Sequence, residues 1–153
     1  MANRWDFMPA RGKNRVGACH TMPILQPDSL LKNPLRLLAL LPALFCCGLI
    51  FYLSSLPGTD IDLPFQVKDK ILHFGAFGVL TACWIWGLRM AFRVSWKKAI
   101  VIGVIIGIIY GASDELHQGF TPGRSQEIAD WVADALGAIA AGLFFLPFQG
   151  RSR

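Results

Sequence analysis

The chain has 153 residues, of which 54% are hydrophobic and only 16% are charged, and it carries a net charge of +5 at pH 7. A soluble domain carries about a quarter charged residues, so this composition argues against a water-soluble domain and for side chains that face lipid. The basic charge does not indicate a nucleic-acid-binding protein, because no pattern of interleaved aromatic and basic residues accompanies it.

Four apolar segments are long enough to cross a bilayer, whose hydrocarbon core needs about 20 apolar residues per helix. We predict membrane-spanning helices over residues 34–53, 71–90, 99–117 and 127–146. They define an all-α integral membrane protein, a compact bundle of about four transmembrane helices. The predicted domains are a basic tail over residues 1–33, a transmembrane domain over 34–147 and a short tail over 148–153. The first span is interpreted as a retained anchor, because its apolar run is too long for a signal peptide.

The basic residues are distributed unevenly about these four segments. If the N-terminus is cytoplasmic, all but three of the 15 lysines and arginines fall on the cytoplasmic side, the exceptions being Lys68, Lys70 and Arg124. Short cytoplasmic flanks and loops carry such an excess of positive charge. We therefore predict that both termini are cytoplasmic and that the acidic residues gather towards the outer face.

The third predicted helix carries a stripe of small and polar residues. At 100° per residue, Gly103, Gly107, Gly111, Asp114 and Gln118 share one narrow face. Glycines at a spacing of four residues allow another helix to approach closely. Ionisable residues inside a membrane span face the bundle interior or a cavity, so the packing face of this helix also carries its polar groups.

Two other predicted helices show the same design. In the fourth helix, the residues that share a face are Asp130, Asp134, Gly137 and Ala141. In the second helix they are Lys70, His73, Phe77 and Trp84, with Asp69 at the edge. Three helices therefore direct polar faces towards one outer cavity. Its candidate ligand-binding residues are Lys70, His73, Asp114, Glu115, Gln118, Arg124, Asp130 and Asp134.

Residues 114–124, with the sequence DELHQGFTPGR, are followed by Asp130 and Gly137, and this pattern resembles the VanZ-like membrane proteins. The SSLP loop at 54–57 and the DKxxH start of the second helix are also similar to that family. The resemblance covers residues 35–142 and implies a bacterial inner-membrane protein of the cell envelope. The namesake of the family is associated with teicoplanin resistance. The chain departs from the family at Asp134, where the family commonly has Asn.

The function of the predicted cavity has several interpretations. Its acids could be a structural network of ion pairs, although burying charges is an inefficient way to stabilise a fold. As the functional pocket of a non-catalytic envelope protein surrounded by membrane lipid, it could bind a lipid-linked cell-wall precursor, a glycopeptide antibiotic or another membrane protein. It could instead be the site of a small hydrolase or transferase, in which His73 with Asp114 or Glu115 performs general acid-base catalysis. A transporter is the third alternative.

No cofactor and no metal ion is expected from the sequence. A divalent metal held by His73, Asp114, Glu115 and Asp130 was considered, but no HExxH or comparable spacing supports it. The four cysteines likewise have neither metal-binding nor disulfide spacing. His117 is interpreted as an interfacial histidine, and the serines at 54–55 as turn residues.

Overall fold

The structure is a computed structural model that describes residues 34–57 and 66–151. A 3-10 segment, Pro34–Leu40, leads into α1, Leu41–Ser54. Helices α2, Gln66–Phe92, and α3, Trp96–Gln118, follow, and then α4, Ile128–Phe145, which continues as a 3-10 segment, Leu146–Arg151. The described ranges contain no strand. The predicted tail over residues 1–33 lies outside them.

Four helical segments are long and apolar enough to cross a membrane, and they are Pro34–Ser54, Asp69–Phe92, Trp96–Gln118 and Ile128–Gly150. The predicted all-α fold with four spans is therefore confirmed. The bounds differ at the helix ends, because α2 begins at Gln66 and extends through polar residues that an apolar run cannot reveal.

Two prolines explain why the first and last spans are not α-helical throughout. Proline has no N–H to donate to the carbonyl four residues earlier. Pro42 lies at the start of α1, and the residues before it are 3-10 helical. Pro147 follows the end of α4 at Phe145, and the chain continues from there as a 3-10 helix.

Helices α2, α3 and α4 pack closely on one another, and α1 lies at the side of this core, mainly against α2. The glycine stripe of α3 is buried in the core, as predicted. A Cβ atom added to Gly111 would lie 2.9 Å from the Cβ of Asp134 on α4. Gly137 of α4 meets the backbone of α2 at Phe74 and Gly78 in the same way. These glycines therefore set the close approach of the helices that carry the polar residues.

Candidate functional site

Acidic and amide side chains are buried together at one end of the bundle, where α2 and α4 begin and α3 ends. Asp134 is completely buried, and the other members retain at most 7% of their exposed area. These members are Asp114, Glu115, Gln118 and Asp130. We call these five residues, together with Lys70 and His73, the polar cluster. The cluster contains residues from all three helices that were predicted to direct polar faces towards one cavity.

A histidine and an aspartate from different helices form the innermost contact of the cluster. The Nδ1 atom of His73 on α2 lies 3.0 Å from Oδ1 of Asp134 on α4. His73 retains 12% of its side-chain exposure, whereas Asp134 retains none. A carboxylate placed in this way fixes both the orientation of the imidazole and the nitrogen that carries its proton. The second ring nitrogen, Nε2, is left for another partner.

Lys70 connects α2 to the start of α4. Its Nζ donates hydrogen bonds to Oδ1 of Asp130 at 2.7 Å and to Oε2 of Glu127 at 3.1 Å. The charge of Lys70 is thus balanced by two carboxylates. Lys70 is therefore poorly suited to bind an anionic ligand, contrary to the ligand-binding role predicted for it. Glu127 was not among the predicted site residues, although it lies three residues before Asp130, on the same side of a helix start.

The acids of α3 are each held by one of their two oxygens. Oδ2 of Asp114 accepts a hydrogen bond from Nε2 of Gln118, one turn later, at 2.9 Å. Oε2 of Glu115 accepts from the backbone N–H of Glu127 at 3.1 Å. The other oxygen of Glu115, Oε1, is buried without a hydrogen-bond partner, as is Oδ2 of Asp134. Two buried carboxylates therefore retain an unused acceptor.

Arg124 ties the turn between α3 and α4 to the end of α1. Its Nε donates to the carbonyl of Leu56 and its Nη2 to the carbonyl of Leu53, both at 3.2 Å. In the same region the hydroxyl of Thr121 donates to the carbonyl of Ser54 at 3.1 Å. Arg124 thus adds side-chain hydrogen bonds to carbonyls at and just beyond the C-terminal end of α1. It thus has a structural role beside the ligand-binding role predicted for it.

A cavity of about 210 Å³ opens beside the cluster, between α1, α2 and α3. Both polar and apolar side chains line it. The polar lining comprises Ser54, Asp69, His73, Asp114, Gln118 and Arg124, and the apolar lining comprises Ile50, Leu53, Leu72, Ala76 and Phe77. Of the predicted site residues, His73, Asp114, Gln118 and Arg124 line this cavity. Asp69 lines it as well, and it was noted in the sequence only as an edge residue.

His117 lies outside the polar cluster, and its interpretation as an interfacial histidine stays a prediction. Its Nε2 lies 3.0 Å from the hydroxyl of Ser55, and its ring stacks on Phe51 at a centroid distance of 4.6 Å. It therefore joins α3 to the end of α1.

The fold brings together candidate metal ligands that the sequence spacing does not reveal. One ligand atom from each of His73, Asp114 and Glu115 lies within 4.8 Å of the others, and the same holds for Asp69, His73 and Asp130. Spacing motifs describe ligands within one short segment, whereas each of these groups combines residues from two helices. The expectation that no metal binds depended on spacing alone, and it stays a prediction.

Four apolar helices around a buried polar cluster define a multi-pass membrane protein. The chain belongs to the VanZ/LLP1 family, whose model matches residues 34–149. The chain is also similar to a protein of Schizosaccharomyces pombe named "Uncharacterized protein C11E3.10", with 28% identity over 103 residues. That match covers 67% of this chain and 61% of the relative, so the chain spans less than two thirds of the relative's length. No solved structure matches the chain.

Proposed function

We propose that this VanZ/LLP1 protein binds the head group of a lipid-linked envelope precursor, or a glycopeptide-related molecule, in the cavity beside the polar cluster. The amphipathic lining of the cavity carries the proposal. Ligand pockets combine an apolar lining with a few convergent polar groups, and the lining of this cavity contains both. A molecule with a polar head and an apolar chain matches that combination.

The size and position of the cavity favour a membrane-borne ligand. A volume of about 210 Å³ is below the range of about 300–1,000 Å³ that encloses a drug-sized molecule. Leu53 and Leu72 line the cavity, yet they are 48% and 69% exposed. We infer from these exposures that the cavity opens sideways between α1 and α2, towards the surrounding lipid. The cavity would hold the head group while the apolar chain remains in the bilayer.

The proposed orientation places the polar cluster at the outer face of a bacterial inner membrane, with both termini in the cytoplasm. Arg36, Arg89 and Arg93 surround one groove together with Trp96. Trp96 begins α3, whereas the polar cluster lies where α3 ends, so this basic groove belongs to the opposite end of the bundle. Arginine and tryptophan are typical of a cytoplasmic interface. An outward-facing pocket could take part in resistance to teicoplanin, as the namesake of the family does.

Native mass spectrometry of the full chain, with undecaprenyl phosphate as the probe, tests the proposal. Ala76→Phe should prevent binding, because Ala76 is an exposed residue of the cavity lining and a phenyl ring would fill the space. Val79→Phe is the control, since Val79 lies on the same helix, is 58% exposed and does not line the cavity. Equal probe binding by the two variants would contradict the proposal.

The pair of His73 and Asp134 favours a second candidate function, a small membrane hydrolase or transferase. A general base needs an imidazole that a third group orients, and Asp134 provides that orientation at 3.0 Å. No serine or threonine hydroxyl bonds to His73 within the described ranges, so water would be the nucleophile. Release of phosphate from undecaprenyl diphosphate by the purified protein, lost in His73→Asn, would support this candidate over binding alone.

A further inference from the structure

The polar cluster contains more carboxylates than cationic groups. Its acids are Asp114, Glu115, Asp130 and Asp134, whereas Lys70 is already shared between Glu127 and Asp130. The phosphate of a lipid-linked precursor would therefore meet like charges in the cavity. A bound cation would remove this repulsion.

Three side chains of the cluster bring a nitrogen atom and carboxylate oxygens close together. A ligand atom from each of His73, Asp114 and Glu115 lies within 4.8 Å of the other two. Asp114 and Glu115 are 5% and 7% exposed, so water competes little for their oxygens. One imidazole and two carboxylates suit Mn²⁺ or Zn²⁺, because carboxylates favour Mn²⁺ and imidazole favours Zn²⁺.

Each of these three side chains is oriented by a hydrogen bond through one atom and keeps another atom for a ligand. His73 uses Nδ1 for Asp134, Asp114 uses Oδ2 for Gln118, and Glu115 uses Oε2 for the backbone of Glu127. Metal-binding histidines almost always donate their other N–H to a carboxylate or carbonyl, and metal-binding carboxylates are hydrogen-bonded as well. The hydrogen-bond partners of these three side chains are therefore of the kind that orient the ligands in a metal centre.

A separate observation, an unpartnered buried oxygen, supports a ligand at this position. Oε1 of Glu115 is buried and has no hydrogen-bond partner, although the side chain that carries it is more than nine-tenths buried. A buried acceptor without a partner loses its hydration and gains nothing in return. Ligand atoms of His73 and Asp114 lie within 4.8 Å of a Glu115 carboxylate oxygen, and a cation bound among the three residues would give this carboxylate a partner.

We propose that His73, Asp114 and Glu115 bind one divalent transition-metal ion, and that Asp134 positions the imidazole of His73. The alternative group of Asp69, His73 and Asp130 is less suitable, since Lys70 bonds to Asp130 at 2.7 Å and Asp69 is exposed. His73 and Asp114 also line the cavity, so the metal would lie in its wall. The inference deepens the proposed function and rests on it for the role of the metal, though not for metal binding itself.

Titration of the metal-stripped full chain with Mn²⁺ in mild detergent, followed by electron paramagnetic resonance, tests the site. One Mn²⁺ per chain should bind, and Zn²⁺ should displace it, because Zn²⁺ binds more tightly to a given set of such ligands. Asp114→Asn and Glu115→Gln should each weaken Mn²⁺ binding by about tenfold or more, the loss typical of a disturbed metal site. Both amides keep an oxygen that can accept the existing hydrogen bond, so the fold should persist.

His117→Gln is the matched control, because it removes a nearby histidine that lies outside the polar cluster. This variant should bind Mn²⁺ like the unaltered chain. Absence of bound Mn²⁺ at 1:1 stoichiometry, or equal affinity in Asp114→Asn and the control, would overturn the site. A loss of affinity confined to Asp69→Asn would overturn it too, in favour of the alternative group.

The same samples separate the metal site from the proposed ligand. Undecaprenyl phosphate should bind at least tenfold more tightly with Mn²⁺ present, if the metal offsets the charge of the cluster. Stoichiometric Mn²⁺ binding with no retention of the lipid would uphold the metal site while contradicting the proposed function. Retention of the lipid by a chain that binds no Mn²⁺ would uphold the proposed function while contradicting the metal site.

Discussion

Nδ1 of His73 and Oδ1 of Asp134 lie 3.0 Å apart, although the two residues are 61 positions apart in sequence and belong to different helices. The contact explains how the chain tolerates a fully buried aspartate in a membrane-spanning helix. It also gives a physical meaning to the departure from the VanZ-like pattern, which commonly has Asn at this position. Asparagine offers the same acceptor oxygen to the imidazole, without the negative charge.

Substitutions of Asp134 should show whether its hydrogen-bond acceptor or its negative charge contributes to the stability of the fold. Asp134→Asn retains an acceptor for His73 and should alter stability little. Asp134→Leu removes the acceptor and leaves a buried N–H unpaired, which should lower the free energy of unfolding by about 1–3 kcal/mol. Unfolding by sodium dodecyl sulfate, followed by circular dichroism, measures both. Equal destabilisation by Asn and Leu would mean that the charge, and not the acceptor, stabilises the contact.

The close contact between α3 and α4 should make Gly111 sensitive to the smallest side chain. A Cβ atom there would lie 2.9 Å from Cβ and 3.0 Å from Oδ2 of Asp134. Gly111→Ala should therefore destabilise the fold by about 1–3 kcal/mol, as overpacked cores do. Gly75→Ala is the control, since nothing lies within 4 Å of its added Cβ. That change should be neutral or slightly stabilising, because alanine favours a helix over glycine. Similar unfolding midpoints for the two variants would exclude the packing role.

Arg124 should contribute to stability through the end of α1. Arg124→Ala removes the donors to the carbonyls of Leu53 and Leu56, and the free energy of unfolding should fall by about 1–2 kcal/mol. Ser125→Ala, at the exposed next position, is the control and should change little. An unaltered melting temperature of Arg124→Ala in detergent would show that these bonds are replaced by water at no cost.

The orientation of the bundle can be measured with fusions to alkaline phosphatase, which is active only outside the cytoplasm. A fusion after Pro122 should be active, because it follows the outer end of α3 in the proposed orientation. A fusion after Arg93, in the short basic connection between α2 and α3, should be inactive. The reverse result would place the polar cluster on the cytoplasmic side of the membrane.

The spans and their polar faces could be predicted from the sequence because both depend on local periodicity. Apolar length identified the four helices, and the recurrence of Gly107, Gly111 and Asp114 identified one buried face. The pairing of particular side chains could not be predicted in this way. Which acid meets His73 depends on the depth at which α2 and α4 cross, and that depth is set by the contact of Gly137 with the backbone of α2. Glu127 and Asp69 were missed as site residues for the same reason.

The cavity beside the polar cluster is the centre of this account, and a crystal structure of the full chain grown from a lipid phase tests it most directly. We expect non-protein density between α1 and α2, with its polar end within hydrogen-bonding distance of Asp114, Gln118 or Arg124. Its apolar end should leave the bundle between Leu53 and Leu72. A bundle in which those two leucines meet and the space beside His73 is closed would contradict the proposed binding site.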